Sequence, residues 1–541
     1  MNQYNLLDEK WLVVMAGETG ETEEVSLTDL FNNAHKYKRL AGETPTQDFA
    51  VLRFLLAILH TVFTRFTVNG DPYEWVILDP DSFQVKEEVD EVEEEDLYKT
   101  WKILWKKGKF PDIVNEYLEK YHHRFYLLDD QYPFFQFPTI GEPEYPYNAT
   151  DYGTNKLNGK ILEGDPRKPR LFMSQYQTGL EYSAAARWLL YINGYAPSKS
   201  GNPGKKKKRE STGVAYLGKL GGIYASGKNL FETLLLNFNL PDNNCVQKPI
   251  WEVEPQIENF QMIPDNLAQL LTYPSRQLLL KSNEENQIVG YRLDLAISNF
   301  EYAPNLKIEP FTFWKYDTKL DMKKWKIKEG YIPKRHNPDK YFWQEMQTFS
   351  AIEDNSYNPG IIEWLRKLQG DDLVNGLISL NAVAENYIQK DGVVDRQIYD
   401  QISENIGLLD KQENGWLIRI ADEIKNTEHV INNTIIRFAK DIDKIRNLQN
   451  SVTELKVKRE IYFSIDSRFR EWLVNITPSE DKNECMRKWR VILREQIIQQ
   501  GNDLIQGAGN RDYLGNYSDK KVENIETVYL KFRANLKKEL G

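Results

Sequence analysis

The spacing with the clearest chemical meaning in this chain is Gly222-Ile-Tyr-Ala-Ser-Gly227-Lys228, a GxxxxGK pattern followed by an apolar run. Such a loop can wrap backbone N–H groups around phosphates, its lysine reaching the outer ones while a following Ser or Thr holds magnesium. Here Asn229 stands where that hydroxyl belongs, and the hydrophobic run ending in aspartate, Trp75–Asp79, precedes the loop instead of following it. A P-loop-like, nucleotide-dependent enzyme using Gly222–Lys228 is therefore the rival reading, set against a plain glycine-rich turn at a helix start. The six histidines (His35, His60, His122, His123, His336, His429) show no HxxxH or HExxH spacing, and no GxSxG occurs. Cys245 and Cys485 are too few for a disulfide framework or a cysteine-built metal centre, so neither metal nor cofactor is expected. A binding protein, not an enzyme, is the expectation.

Charge shows what could be bound. The chain carries 70 Lys and Arg against 80 Asp and Glu, a net charge of −10, which counts against a protein that simply coats DNA. That acidity is concentrated. The run EEVDEVEEED at 87–96 holds eight acidic residues, and 391–541 is neutral, with 25 of each sign. Lys205, Lys206, Lys207, Lys208 and Arg209 form a cationic run inside SKSGNPGKKKKRESTG. Residues 307–340 carry ten Lys or Arg against five Asp or Glu, interleaved with Phe311, Phe313, Trp314, Tyr316, Trp325 and Tyr331. Cations neutralise phosphates and aromatic rings stack on bases, so both stretches suit nucleic acid. A protein-only scaffold with solvated basic segments is the other alternative.

The elements that must hold these residues follow from proline and periodicity. Residues 391–541 contain one proline, Pro478, of the chain's 23, and proline is excluded from helix interiors. Ile398, Ile402, Ile406 and Leu409, then Ile431, Ile435 and Phe438, recur at three or four residues and predict helices. Thr477-Pro478-Ser479-Glu480 reads as a capping box. The first 390 residues mix β-prone runs (Trp11–Met15, Trp75–Leu78, Val289–Ala296) with helices, the best being Thr46–Phe66, capped near Pro45. The fold class is α+β: a large mixed N-terminal domain with long loops over 1–390, then an all-α, four-helix-type bundle over 391–541. The N-terminal residues lack a signal-peptide pattern and no long uncharged apolar run occurs, so a cytoplasmic protein with no membrane partner is expected.

Four strings in fixed order carry more information than composition does. They are NLLDEKWLVV (Asn5–Val14), SLTDLF (Ser26–Phe31), LAGETPTQDFAVLRFLLAILH (Leu40–His60) and RFYLLDDQYPFFQ (Arg124–Gln136). Together they resemble the large subunit, CasA, of the type I-E CRISPR Cascade surveillance complex. The resemblance implies a non-catalytic subunit that recognises a protospacer-adjacent motif in double-stranded DNA from the minor groove. It also implies that the subunit starts strand separation and R-loop formation, touches the 5′ handle of the guide RNA, and docks the helicase-nuclease beside the other Cascade subunits. A minor-groove reader sees a degenerate pattern, which suits permissive motif recognition, while guide pairing supplies sequence discrimination.

Residue roles follow from the resemblance alone. The family's guide-handle and motif loop corresponds to Leu171, Phe172, Met173 and Ser174. Its glycine-rich motif-binding loop corresponds to Gly201, with Lys205, Lys206, Lys207 and Lys208 on nearby phosphates. A lysine contact from the β-rich part has Lys307 and Lys315 as candidates. The wedge, expected in a short turn before the bundle, falls on Asn381, with Leu380 and Ala382 beside it and Asn386 as the fallback.

Overall fold

The structure is a computed structural model that describes residues 3–87, 92–145, 149–157, 179–197, 213–240, 246–254, 264–294, 308–316, 331–349, 356–388, 392–410, 415–448, 452–518 and 521–541. The chain forms two compact units. The first contains Met1–Pro338, Glu353–Leu365 and Leu380–Gln401; the second contains Asp339–Ile352, Arg366–Ser379 and Ile402–Gly541. The boundary expected at residue 390 falls inside the last segment of the first unit.

The first unit is built around helix α1 (Pro45–Phe63). Thr44 caps it by accepting the Gln47 N–H, Pro45 takes N1 where no amide hydrogen is needed, and Asp48 sits in the first turn. The cap is thus Thr44 and not the expected Thr46, two residues earlier, and the helix ends three residues sooner than Phe66. Leu, Phe, Ile and Ala cover all its faces, so it is buried all round and is a core helix. By length and composition it could cross a membrane, but 94% of its apolar window is buried inside the protein. Helix α2 (Tyr182–Tyr195) packs beside it.

A three-stranded sheet meets the start of α1, where Phe49 stacks on Tyr224 at 5.7 Å and Thr46 Oγ1 lies 3.3 Å from Glu385. Its strands are β1 (Gly222–Ser226), β2 (Leu377–Ile388) and β3 (Val393–Asn405), in the order β3–β2–β1. Helix α3 (Leu230–Asn237) follows β1. Further small sheets join Leu12–Ala16 to Thr22–Val25 and Tyr37–Leu40, and Ile288–Asp294 to Thr150–Gly153 and Gln277–Ser282. Two of the expected strands are therefore present. Trp75–Leu78 instead forms turns, with a lone bridge from Leu78 to Val85. The described part of the acidic run opens a helix, Glu94–Lys107, where Glu94, Glu95 and Asp96 complement the helix dipole.

The second unit contains the helical bundle. Helices α4 (Trp416–Ile431) and α5 (Arg437–Ile445) join through a π turn, Asn432–Ile436, and run on as one helical stretch. With α6 (Val452–Val474), α7 (Lys482–Gln506) and α8 (Ile525–Leu540) they make four long helices, as the scarcity of proline predicts. Trp343 stacks on Phe469 at 4.3 Å, Trp472 lies 5.5 Å from Trp489, and Phe438 stacks on Phe532 at 5.0 Å. Pro478 precedes α7 instead of starting it. Asp481 is the N-cap, while Thr477 and Glu480 close a turn on each other. Mixed α and β in the first unit and a four-helix bundle in the second agree with the α+β expectation.

Candidate nucleic-acid interface

The phosphate-loop pattern folds as something else. Gly222–Ser226 is strand β1, in which Gly222 allows close packing: an added Cβ would meet the Phe49 ring at 2.8 Å and Val383 at 3.0 Å. The free N–H groups at the start of α3 are already taken. Asn229 accepts the Glu232 N–H at 2.8 Å, and the Glu232 carboxylate accepts the Lys228 N–H at 2.8 Å. A carboxylate thus occupies the place a phosphate would need, and a Cβ on Gly227 would strike Glu232 at 2.4 Å. Asn229 is a helix cap, which explains why no Ser or Thr stands there.

The candidate wedge residues lie within β2, not in a turn. Leu380, Asn381 and Ala382 are 0%, 1% and 1% exposed. Asn381 Nδ2 donates to Ser226 Oγ at 2.7 Å and to the Tyr224 carbonyl at 3.3 Å, and its Oδ1 accepts from the Tyr399 hydroxyl at 3.2 Å. Both halves of the amide are used to bind β1 and β3 to β2. A side chain so held cannot reach a base step, and this corrects the expectation. A turn does precede β2, at Gly376 with φ +85°, but the strand begins immediately after. Asn386 is half-buried and donates to Asp395 across the hairpin at 3.1 Å. Of the four residues joining the strands, 389–391 lie outside the described residues.

Beside Asn381 the hairpin carries a buried carboxyl that no sequence pattern announces. Glu385 lies 2.6 Å from the Tyr191 hydroxyl, 2.9 Å from that of Tyr387, 3.2 Å from Gln397 Nε2 and 3.3 Å from Thr46 Oγ1. Burial outweighs these hydrogen bonds and pushes its pKa up to about 7. The Tyr387 hydroxyl also lies 2.7 Å from the Tyr195 carbonyl. Having one hydrogen, it serves the carbonyl as donor and accepts from Glu385 when that carboxyl is protonated. The residues concerned come from α1, α2, β2 and β3, so a single network fixes the hairpin to both helices.

The basic and aromatic stretch is partly described. Tyr331–Lys334, Phe313–Tyr316 and Ser356–Tyr357 pair in that order. Phe311, Phe313 and Trp314 are core residues. Tyr316 stands 5.3 Å from Tyr331, which stands 4.8 Å from Tyr357, and the outer two rings are 37% and 48% exposed. Strand alternation puts Lys315 on the face opposite Tyr316. Lys334 pairs with Phe313 on that same opposite face, its Nζ 5.6 Å from the ring. Cations and edge-to-face tyrosines that alternate in sequence are thus separated by the sheet. Lys315 is exposed; Lys307 and Trp325 lie outside the described residues, as do Leu171–Ser174, Gly201 and Lys205–Lys208.

Among the described residues no three His, Cys, Asp or Glu side chains are grouped to hold a metal. Cys485 is buried and its thiol pKa is pushed up to about 11 by burial and by Glu480, far from a reactive thiolate. His60 is buried against Phe238 at 4.5 Å, and burial alone drives its pKa down to about 3.

The first unit carries small sheets with exposed tyrosines and a long hairpin, and the second a four-helix bundle. Residues 5–500 match the family CRISPR-associated protein Cse1, and the chain belongs to that family. It is 23% identical over 530 residues to CRISPR-associated protein CasA/Cse1 of Thermus thermophilus, covering 92% of each chain. The crystal structure of Thermobifida fusca Cse1 matches with a TM-score of 0.81 at 25% identity, over 99% of this chain and 98% of that one. A chain of a structure described as a CRISPR RNA-guided surveillance complex matches with a TM-score of 0.67 at 15% identity, over 99% and 100%.

Proposed function

We propose that this chain is the large, non-catalytic subunit of a cytoplasmic CRISPR RNA-guided surveillance complex. It reads a protospacer-adjacent motif in double-stranded DNA from the minor groove, begins strand separation, and recruits the helicase-nuclease. Its partners are target DNA, the guide RNA 5′ handle and the other Cascade subunits. The observation that carries this is the Cse1 family match across residues 5–500. Co-purification with the other subunits and guide RNA, followed by a randomised-motif binding screen, tests it; a chain that neither joins the complex nor alters motif preference would refute it.

Gly201 and Lys205–Lys208 are the proposed motif-binding loop, Leu171–Ser174 the guide-handle loop, and Lys307 or Lys315 the lysine contact. Replacing Lys205–Lys208 by Ala is expected to weaken duplex binding. The slope of log K against log salt should flatten by about 0.9 for each phosphate that the variant no longer neutralises. Gel-shift titration across salt concentrations checks this, and an unchanged slope would remove the run from the interface.

Strand separation is assigned to the β2–β3 hairpin, with its amide moved from Asn381 to Gln389, the first residue after β2. Unstacking one base step costs roughly a few kcal/mol, so a lost wedge slows opening without changing how the duplex motif is held. In the assembled complex, Gln389→Ala is expected to slow R-loop formation about tenfold at unchanged motif affinity. Asn381→Ala is expected to cost roughly 1 kcal/mol of stability with little effect on opening. Fluorescence of a reporter base beside the motif distinguishes the two. Slow opening with Asn381→Ala alone would return the wedge to that residue.

A further inference from the structure

We propose that Glu385 and Tyr387 form a proton-operated latch between the β2–β3 hairpin and the end of α2. While Glu385 is protonated, the Tyr387 hydroxyl holds the last carbonyl of α2. Once that proton leaves to solvent, the hydroxyl turns to the carboxylate and the carbonyl is let go. Nothing in the latch depends on what the chain binds.

The two oxygens of Glu385 are not equivalent. Oε1 faces three donors, the Tyr191 hydroxyl at 2.6 Å, Gln397 Nε2 at 3.2 Å and Thr46 Oγ1 at 3.3 Å. Oε2 faces the Tyr387 hydroxyl at 2.9 Å. A proton on Oε1 would point at other hydrogens, so it sits on Oε2 and is donated to the Tyr387 oxygen. Tyr387 then has its own single hydrogen for the Tyr195 carbonyl, 2.7 Å away. Tyr195 ends α2, so its carbonyl is one of those the helix leaves without an internal partner. Carboxyl, hydroxyl and carbonyl are all satisfied in this state.

Ionised, Glu385 can only accept. One hydroxyl hydrogen must now serve either a carboxylate or a neutral carbonyl, and a bond to an ionised acceptor is roughly twice as strong. The hydroxyl therefore turns to Oε2, and α2 loses this tie to the hairpin. Little room is left for a water to replace it. Glu385 is 1% exposed, and a Cβ on Gly218 would stand 2.5 Å from the Tyr387 hydroxyl oxygen.

Burial sets the working range, pushing the Glu385 pKa up to about 7 against its hydrogen bonds. The folded value lies above the ordinary 4.5. The latch's contribution to stability is therefore complete below 4.5 and fades as the pH rises through about 7. Cations near the pair favour the carboxylate: Arg335 lies 5.4 Å from the Tyr387 ring, and buried Arg276 feels the Tyr387 hydroxyl. Lys219 stands next to Gly218 on the segment that covers that hydroxyl. The remaining charges are matched. On α1, Arg53 pairs with Glu309; on α2, Arg187 pairs with Glu24 and Glu43; on β3, Arg396 pairs with Asp395. Burial raises the pKa of Tyr191 and Tyr195 on α2, of Tyr224 on β1 and of Tyr399 on β3, which keeps them neutral. Asp48 on α1 is the exception, since burial raises it to about 7 as well. A test must therefore read the latch locally.

Carbon-13 NMR on the full chain does so, following the Glu385 carboxyl carbon and the Tyr195 carbonyl carbon from pH 5 to 9, the latter through the Ala196 nitrogen. In the wild-type chain both signals are expected to shift with one shared midpoint near pH 7. Glu385→Gln donates to Tyr387 as the protonated acid does, and should hold the Tyr195 signal at its low-pH position throughout. Tyr387→Phe should hold it at the released position while Glu385 still titrates. A Tyr195 signal that still moves in Glu385→Gln would assign the change to another group, Asp48 first, and overturn the latch. A wild-type Tyr195 signal that stays put while Glu385 titrates would overturn it too, as would a Glu385 carboxyl that does not titrate in this range. Should one variant fail to fold, the other and the wild-type chain still decide.

Discussion

At pH 9 the Glu404→Gln variant is expected to unfold at a higher temperature than the wild-type chain, and that advantage is expected to vanish by pH 5. Glu404 lies on β3, is 0% exposed, and neither carboxyl oxygen has a hydrogen-bond partner. Burial alone raises its pKa from the ordinary 4.5 to about 8. The folded state therefore holds a proton that the unfolded chain releases once the pH passes 4.5. The stability contribution is complete below that value and declines as the pH rises through about 8. The gap between the two values corresponds to roughly 5 kcal/mol at most, or a shift of about 20 °C at most in a domain of this size. Glutamine keeps the shape and cannot ionise. Its own unpartnered amide costs about 1–3 kcal/mol, so at pH 5 the variant should be equal or slightly worse. Melting curves from pH 5 to 9 decide the matter: parallel curves for the two proteins would show that Glu404 does not titrate in this window. Glu385, with its pKa near 7, adds a dependence of the same sign in the first unit.

Where the sequence was legible, one physical rule governed a long stretch. The absence of proline specifies a bundle because a helix of twenty residues cannot tolerate it, and α1 announces itself by apolar residues on every turn. Legibility failed where two rules agree. Ile398, Ile402 and Ile406 recur every four residues, a spacing that fits one helix face and one strand face equally, since four is also a multiple of two. The structure resolves the ambiguity as strand β3 followed by a short 3-10 turn. The β-branched and aromatic residues Val393, Val394 and Tyr399 were the available signal. The turn expected around Asn381 came from the resemblance alone, and Leu377–Ile388 is instead a strand in which that amide is interior. Glu385 was hidden for another reason. Its partners stand far away in sequence, Thr46 lying 339 positions from it and Tyr191 194, and no local pattern encodes such a meeting.

Removing Arg53 alone is expected to destabilise the first unit by about 3–5 kcal/mol, because it strands a buried carboxylate. Arg53 projects from α1 and pairs with Glu309 through two hydrogen bonds of 2.8 and 2.7 Å, with both side chains almost wholly inaccessible. Glu309 also accepts from the Tyr216 hydroxyl at 3.0 Å and from the Phe311 N–H at 3.1 Å. The guanidinium lies 5.6–5.8 Å from the rings of Phe49, Tyr216 and Phe311. The pair thus ties the core helix to the strand region that presents the exposed tyrosines and to Tyr216. In the Arg53→Met variant Glu309 must either ionise without a partner or take up a proton, so the loss should shrink as the pH is lowered. Arg53→Met combined with Glu309→Gln removes both charges and should recover most of the loss, since the net worth of a buried pair over an apolar contact is small. Thermal melts of the two single variants and the double variant form the cycle. If the double variant melts as low as Arg53→Met, the cost lies in poorer packing around the three rings and not in the stranded charge, and the pair's role in joining α1 to that region falls with it.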